Sequence, residues 1–225
     1  MIVKKVFCLG IFIFVLAMSS VPASAKVKID KVISRAEQGD TQAQYELASM
    51  YENGHGVKKN IEDALKWYWK AAENGHIGAQ IDLGWFYQNG QFVEKDIKQA
   101  MVLYEKAANQ GNPQAQFNLA VLYDEGVDVP QDNELAVKWY KLSAEQGYMP
   151  AKLNLGVCYW KGVGVKQNYE KAWNILNDVR VTASAYDRKA KWRARDVLDR
   201  IKGELGVADR FDEFSYPSWE KLMDE

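Results

Sequence analysis

The chain has 225 residues, of which 48% are hydrophobic and 26% are charged, and this ordinary globular composition excludes a mostly disordered chain. The formal net charge of −1 means that no overall basic field recruits nucleic acid or an anionic membrane. With only two histidines and two cysteines, we predict no metal site and no cofactor.

The first 25 residues have the three parts of a secretory signal. Lys4 and Lys5 form a positive start, an apolar run extends from Val6 to Met18, and small residues end the segment at Ala23-Ser24-Ala25. The run is too short to span a bilayer comfortably, so we predict cleavage after Ala25 and no integral membrane segment afterwards. An uncleaved N-terminal anchor is the alternative.

Removal of this segment takes away two lysines and no acidic residue, which brings the net charge to −3. The absence of any Asn-x-Ser/Thr sequon favours a bacterial route, so we predict export to the periplasm, with secretion beyond the cell as an alternative. Cys158 then remains as a single cysteine, so the fold has to be held by packing without an intramolecular disulfide. We expect a buried thiol and a monomer, because the equivalent positions Met50, Phe86 and Leu122 are apolar.

The mature sequence repeats itself every 36 residues. Glycine, alanine, leucine and tyrosine each recur four times in this register: Gly39, Gly75, Gly111, Gly147; Ala43, Ala79, Ala115, Ala151; Leu47, Leu83, Leu119, Leu155; Tyr51, Tyr87, Tyr123, Tyr159. A fixed period of this length predicts an array of stacked units that bury a continuous core between neighbours.

Each copy is predicted to contain two helices. Ala43, Leu47 and Tyr51 are four residues apart and therefore share one helical face. Gly54 is a suitable left-handed cap for this first helix, and Asn60 is a good N-cap for the second. We expect the recurrent aromatic residues to fill the core.

The copies resemble a known repeat family. The first copy has the pattern Ala43-Gln44-x-x-Leu47-Ala48-x-x-Tyr51-x-x-Gly54-x-Gly56-Val57-x-x-Asn60-x-x-x-Ala64-x-x-Trp67-Tyr68-x-x-Ala71-Ala72-x-x-Gly75. It resembles the Sel1-like repeat, a relative of the tetratricopeptide repeat with a longer loop between its helices. The resemblance implies an all-α, right-handed superhelical α-solenoid of stacked antiparallel helix pairs.

This register divides the chain into eight segments. They are a signal peptide (1–25), an N-terminal capping helix (26–38), four repeats (39–74, 75–110, 111–146 and 147–182), a basic C-terminal capping helix (183–206) and an acidic aromatic tail (207–225). Copies 2 and 3 lack the second loop glycine, with Gln91-Phe92 and Asp128 in its place. The second helix of copy 4 is degraded, with Ile175, Leu176 and Val179 at the Trp, Tyr and Ala positions.

Two uses are open for the C-terminal segments. The basic helix is predicted to cap copy 4, and a docking face for an acidic partner or for lipid headgroups is the alternative. The tail carries interleaved acidic and aromatic residues. It either folds back onto the basic helix or remains a docking peptide.

No catalytic constellation is present in the sequence. It has no Gly-x-Ser-x-Gly elbow, no phosphate-binding glycine loop and no His-Glu-x-x-His helix. His55 and His76 are 21 residues apart along the chain, without metal-ligand spacing, and are predicted to be exposed loop residues. We therefore predict that the protein is not an enzyme.

The resemblance implies that the first helices line a concave binding face. Equivalent residues on those helices form ladders across the copies, and we name their members ladder residues. The predicted contacts are Tyr45, Glu46, Ser49, Glu52, Asp82, Trp85, Gln88, Phe117, Asn118, Val121, Asp124, Asn154 and Trp160. No lysine or arginine occurs among them, so we predict a protein partner with a basic and hydrophobic segment, anchored by Trp85, Trp160 and Phe117. Packing of several of these residues between copies is the alternative.

Three functions follow in order of preference. The leading prediction, implied by the resemblance, is a non-catalytic interaction scaffold or adaptor in the periplasm. The alternative is an immunity or inhibitor protein that neutralises a toxic secreted hydrolase such as a lipase. A remote alternative is a cell-wall-directed or β-lactamase-like enzyme.

Overall fold

The computed structural model describes residues 23–183 and 187–206. Most of the predicted signal segment and the whole predicted tail lie outside these ranges. Within them the regular structure is helical throughout, in the order α1 (Ala23–Glu37), α2 (Thr41–Asn53), α3 (Ile61–Glu73), α4 (Ile77–Asn89), α5 (Ile97–Asn109), α6 (Pro113–Glu125), α7 (Asn133–Glu145), α8 (Met149–Lys161), α9 (Tyr169–Thr182) and α10 (Arg188–Glu204).

Local signals determine where the helices begin and end. The side chain of Asn60 accepts hydrogen bonds from the backbone N–H groups of Glu62 and Asp63 at the start of α3. Gly54 ends α2 in the left-handed conformation, with φ of 74°. The same cap recurs at the end of α4, α6 and α8, so the predicted first-helix boundaries are confirmed.

The helices stack in chain order. Each one packs against the next, and α10 contacts both α9 and α8. α2 with α3, α4 with α5, α6 with α7, and α8 with α9 form the four helix pairs. The predicted all-α repeat array is therefore confirmed.

Aromatic residues fill the core, as the repeat pattern predicts. Tyr104 and Tyr140 are fully buried. Tyr51, Tyr87 and Tyr123 are partly buried, and each packs against two successive hydrophobic clusters. These three side chains join the clusters of neighbouring copies into one continuous core.

The loop within each copy keeps one conformation although its sequence changes. Gly56 and Gly164 have positive φ, and so do Phe92 (65°) and Asp128 (62°) at the equivalent positions of copies 2 and 3. Side chains other than glycine are strained in this region. The stacked helices on either side therefore impose the loop shape even where glycine is missing.

Candidate partner-binding face

A row of tyrosine hydroxyls joins the second helices to the ladder residues. Tyr68 donates to Glu52 at 2.6 Å, Tyr104 to Gln88 at 2.8 Å and Tyr140 to Asp124 at 3.2 Å. The rings of the three tyrosines lie in the core, while their hydroxyls bind polar groups at its edge. Each bond holds a ladder side chain in place, and Glu52 and Asp124 keep their charge because a hydroxyl is a neutral donor.

The first two copies hold two half-buried carboxylates, those of Glu52 and Asp82. Tyr45 donates its hydroxyl hydrogen to Asp82 Oδ2 at 2.9 Å. Burial raises the pKa of Asp82 above its usual value, and the nearby charge of Glu52 raises it further, whereas the hydrogen bond from Tyr45 opposes the shift. Among the described residues, neither carboxylate forms a salt bridge. In the described part of the chain these two carboxylates therefore have no lysine or arginine partner, and only the nearby His76 lowers the pKa of Asp82 by its charge.

Two exposed aromatic rings lie on and after α4, the helix that carries Asp82. Trp85 is 44% exposed and Phe92 is 39% exposed. Both pack edge-on against Phe86, at ring-centroid distances of 5.9 Å and 5.2 Å. Phe86 in turn contacts Tyr68, whose hydroxyl binds Glu52. A series of ring contacts thus connects the exposed Trp85 and Phe92 to the tyrosine that holds Glu52.

Most of the other ladder residues are less accessible than the prediction assumed. Glu46 is exposed, and the half-buried members are Tyr45, Ser49, Gln88, Phe117, Asn118, Val121, Asp124 and Asn154. Phe117 packs against Tyr140 and Tyr148, which gives it a structural contact in addition to its partial exposure. Asn154 donates to the hydroxyl of Tyr140 at 3.0 Å.

Trp160 requires a correction. It was predicted to anchor the partner, but its side chain is only 9% exposed. Its Nε1 donates to Glu204 Oε2 on α10 at 2.9 Å. Because α10 covers this end of the ladder, Trp160 belongs to the core between copy 4 and the capping helix and not to the partner-binding face.

His76 also differs from the prediction of an exposed loop residue. It is the N-cap of α4, where its Nδ1 accepts from the backbone N–H of Ala79 at 3.2 Å. Its ring stacks on Tyr45 with 4.4 Å between centroids. Burial lowers the pKa of His76, which favours the neutral ring that the acceptor role needs. His76 therefore positions the ladder residue Tyr45.

The described residues include a single free cysteine. Cys158 is buried and free, and burial raises the pKa of its thiol to about 12, so the reactive thiolate is scarce at neutral pH. No group of three or more His, Cys, Asp or Glu side chains in ranges 23–183 and 187–206 is arranged to hold a metal ion. In the same ranges no helix combines the length and the apolar character that crossing a membrane requires.

Sequence reasoning missed Phe92 and the tyrosine hydroxyls. Phe92 was noted only as a departure from glycine, although an exposed aromatic residue at a strained loop position could have drawn attention to it. The partners of the hydroxyls are 16 residues apart along the chain. That separation reflects how two antiparallel helices align, and spacing within one helix does not reveal it.

Four stretches of the chain match the family model of the Sel1 repeat, at residues 41–76, 77–112, 113–148 and 150–176. Together they cover more than half of the sequence. The chain belongs to the Sel1 repeat family. Each matched stretch begins two or three residues after a segment boundary predicted from the glycines. Sel1 repeat proteins mediate protein–protein interactions.

Two solved Sel1 structures are similar in both sequence and fold. A protective antigen of uropathogenic Escherichia coli with an SLR fold is 33% identical over 80% of this chain, with a TM-score of 0.71. A Sel1 repeat protein from Oxalobacter formigenes is 32% identical over 78%, with a TM-score of 0.66. The chain covers 37% and 49% of these two proteins, so it spans less than half the length of either. No curated protein matches the sequence significantly.

A third solved structure is that of a protein named as an immunity protein, which is the alternative function predicted above. The immunity protein Pa5087 from Pseudomonas aeruginosa is 24% identical over 80% of this chain, which covers 74% of that protein with a TM-score of 0.43. A likeness of this size carries no argument about function. Immunity therefore stays a prediction for this Sel1 chain.

Proposed function

We propose that this Sel1 protein is a non-catalytic interaction scaffold or adaptor, exported to the bacterial periplasm. It binds another protein through the ladder residues of α2, α4 and α6. The partner presents a segment that is both basic and hydrophobic, and no cofactor takes part.

One observation carries the proposal: Glu52 and Asp82 have no salt-bridge partner among the described residues, and the exposed Trp85 lies three residues after Asp82 on α4, on the same side of that helix. A half-buried carboxylate without a cation is costly, because part of its hydration is lost without an opposite charge in return. A lysine or arginine of the partner restores that charge balance. The same cation can lie over the face of Trp85, while apolar neighbours cover the rest of the exposed rings.

The sequence of residues 1–25 supports the proposed cellular location. Because Lys4 and Lys5, the short apolar run and the small residues before Lys26 have the order of a secretory signal, cleavage releases a chain that begins at Lys26. Fractionation of the source cells with N-terminal sequencing tests this part of the proposal. A chain recovered from the cytoplasm with Met1 intact contradicts it.

Partner capture tests the binding face. The chain from Lys26 to Glu225 is immobilised and exposed to envelope extract of its own source, beside the variants Trp85→Ala and Glu52→Gln. The second variant removes the charge and keeps an oxygen that accepts from Tyr68. A matched control is Leu142→Ala, since Leu142 is also 44% exposed but lies on a second helix. We expect one stoichiometric protein that both test variants lose and the control retains.

The other outcomes point to different functions. A partner retained equally by all variants places the binding face elsewhere. A captured hydrolase that is silent in a one-to-one complex replaces the adaptor function with immunity. Turnover of a chromogenic β-lactam or of purified peptidoglycan by the isolated chain contradicts a non-catalytic function.

A further inference from the structure

Helix α10 uses its whole apolar stripe to cover the end of the solenoid. Ala194, Val197, Leu198 and Ile201 are buried, and α10 packs against α9 and α8. Glu204 adds the hydrogen bond to Trp160. The opposite side of α10 therefore faces outward and is free of any role in the core.

That outward side is basic and carries an exposed tryptophan. Trp192 is 67% exposed, more than any other aromatic side chain in the described residues. Around it are five exposed cations: Arg188, Lys189, Lys191, Arg193 and Arg195. Within the described part of the chain none of the five forms a salt bridge, whereas Arg200 in the second half of α10 pairs with Asp196 at 3.1 Å. We name Trp192 and these five cations the basic face.

The chain continues beyond the basic face with the opposite charge. Residues 207–225 directly follow Gly206 and contain four aromatic residues. Their acidic residues, Asp209, Asp212, Glu213, Glu220, Asp224 and Glu225, outnumber Arg210 and Lys221. From Gly206 back to Trp192 the distance along a helix is about 20 Å, at 1.5 Å per residue. Residues 207–225 can extend to roughly 60 Å, so they are long enough to return along α10.

We propose that the basic face of α10 is the docking site of the chain's own residues 207–225. Their carboxylates pair with the cations of α10, and an aromatic ring covers Trp192. Covalent attachment favours this occupant over a free competitor, because a short tether supplies an effective concentration in the millimolar range.

A lipid bilayer is a poorer occupant of the same surface. Helices that bind at a membrane interface insert a broad apolar face between the headgroups. The apolar stripe of α10 is buried against α9 and α8, so Trp192 alone cannot supply that area. The charge of the basic face is therefore better matched by an acidic segment than by a bilayer.

Zero-length crosslinking of the full chain tests the proposal. A carbodiimide joins carboxylates to amines that are in contact, and mass spectrometry locates the bonds. We expect intramolecular bonds from Lys189 and Lys191 to carboxylates within 207–225. Their yield should fall roughly fivefold in about 0.5 M salt, where the screening length is about 4 Å. The variant Trp192→Ala should lower the yield as well, because the ring contact is lost.

Charge exchange makes the test specific. The pair Lys189→Glu with Lys191→Glu, or the pair Asp212→Lys with Glu213→Lys, should reduce the crosslinks to background. All four substitutions together should restore them between the same segments, now with the amine on the other side. The control Lys58→Glu with Lys59→Glu alters two exposed lysines of the first copy and should change nothing. Circular dichroism of every variant confirms that the helices are retained.

Three outcomes overturn the proposal. Crosslinks that join two molecules assign the basic face to a second copy of the chain. Crosslinks spread evenly over lysines of the whole chain show that residues 207–225 have no preferred site. Binding of the full chain to phosphatidylglycerol vesicles, abolished by Lys189→Glu with Lys191→Glu in the absence of any specific crosslink, assigns the face to a membrane.

Discussion

Copies 1 to 3 and copy 4 share one sequence pattern but are held in place differently. In the first three copies a buried glutamine links neighbours: Gln44 donates to the carbonyl of Ala36 in α1, and Gln80 and Gln116 each donate to a backbone carbonyl of the preceding copy. Each also accepts from the amide of Asn74, Gln110 or Gln146. In copy 4 the position is Lys152, which instead forms a salt bridge to Asp178 at 2.5 Å.

The tyrosine hydroxyls show the same contrast. Tyr68, Tyr104 and Tyr140 bind ladder residues of their own copies, but Leu176 stands at the equivalent position in copy 4. There the ladder residue Trp160 binds Glu204 of α10. Equivalent positions therefore make the same contacts in copies 1 to 3, each of which is followed by another repeat. In copy 4, which is followed by α10, they make different contacts.

The sharpest test of this contrast compares two ladder tryptophans. Trp160→Ala should cost about 3–5 kcal/mol of unfolding free energy, because a nearly buried ring and its bond to Glu204 are removed. Trp85→Ala should cost less than about 1 kcal/mol, since the ring is largely at the surface. Urea unfolding followed by circular dichroism measures both. Equal losses of unfolding free energy in the two variants would show that Trp160 is not buried beneath α10.

A second test concerns the loop position that is occupied by Phe92, Asp128 and Gly164 in copies 2 to 4. A Cβ atom on Gly164 would overlap the backbone carbonyl of Asn133, which cannot move aside as a side chain can. We expect Gly164→Ala to cost about 3 kcal/mol, from overpacking together with the left-handed strain. Thermal unfolding provides the measurement.

Gly147→Ala is the matched control for that substitution. Gly147 also has positive φ, 84°, but open space surrounds its Cβ direction, so only the strain of about 1–2 kcal/mol remains. If both alanine variants melt at the same temperature, the close approach to Asn133 is not a constraint in copy 4.

Much of the fold could be predicted because its signals are local and repeated. The spacing of Ala43, Leu47 and Tyr51 predicts the buried face of a helix. Gly54 predicts the end of that helix, and Asn60 predicts the beginning of the next one. Four copies of each signal remove the ambiguity of any single one. Fold class, helix pairs and aromatic core follow from these residues alone.

The candidate site could be predicted only in part, because accessibility depends on contacts between distant segments. The period of 36 made Trp160 equivalent to Glu52 and Gln88, yet α10 is not a standard copy and covers it. His76 caps α4 through its bond to the N–H of Ala79, at the position of the N-caps Asp40 and Asn112, so that role is local, whereas its stacking on Tyr45 is not. The covering of Trp160 and the stacking of His76 do not follow from spacing within a copy, since each depends on which helix lies alongside.

The glutamine link provides a third, smaller effect. Gln116→Leu removes the hydrogen bond to the carbonyl of Ala108 and the one from the amide of Gln146, and a typical intramolecular hydrogen bond contributes about 0.5–1.5 kcal/mol. Lys152→Ala removes a partly exposed salt bridge and should cost less than about 1 kcal/mol. Urea midpoints of the two variants give the comparison. A larger loss for Lys152→Ala would mean that copy 4 depends on its salt bridge as much as the other copies depend on glutamine.

The smallest effect concerns Asp82, whose equivalents in copies 3 and 4 are Asn118 and Asn154. Because its pKa is raised in the folded chain, its contribution to stability is fully present below the unfolded value and is lost as pH rises through the folded value. Asp82→Asn keeps an oxygen that accepts from Tyr45 and has no charge to desolvate. The variant should therefore equal or exceed the parent in stability at pH 7, by less than about 1 kcal/mol because the carboxylate is partly exposed.

Unfolding of both chains at several pH values from about 3 to 7 measures this effect across the ordinary aspartate pKa. The stability difference should grow in favour of Asp82→Asn as pH rises, and partner affinity should fall in the same variant at pH 7. A variant that is less stable at pH 7 than the parent would show that a cation within the chain already offsets the charge of Asp82. The acidic part of the binding face would then have no need of a basic partner.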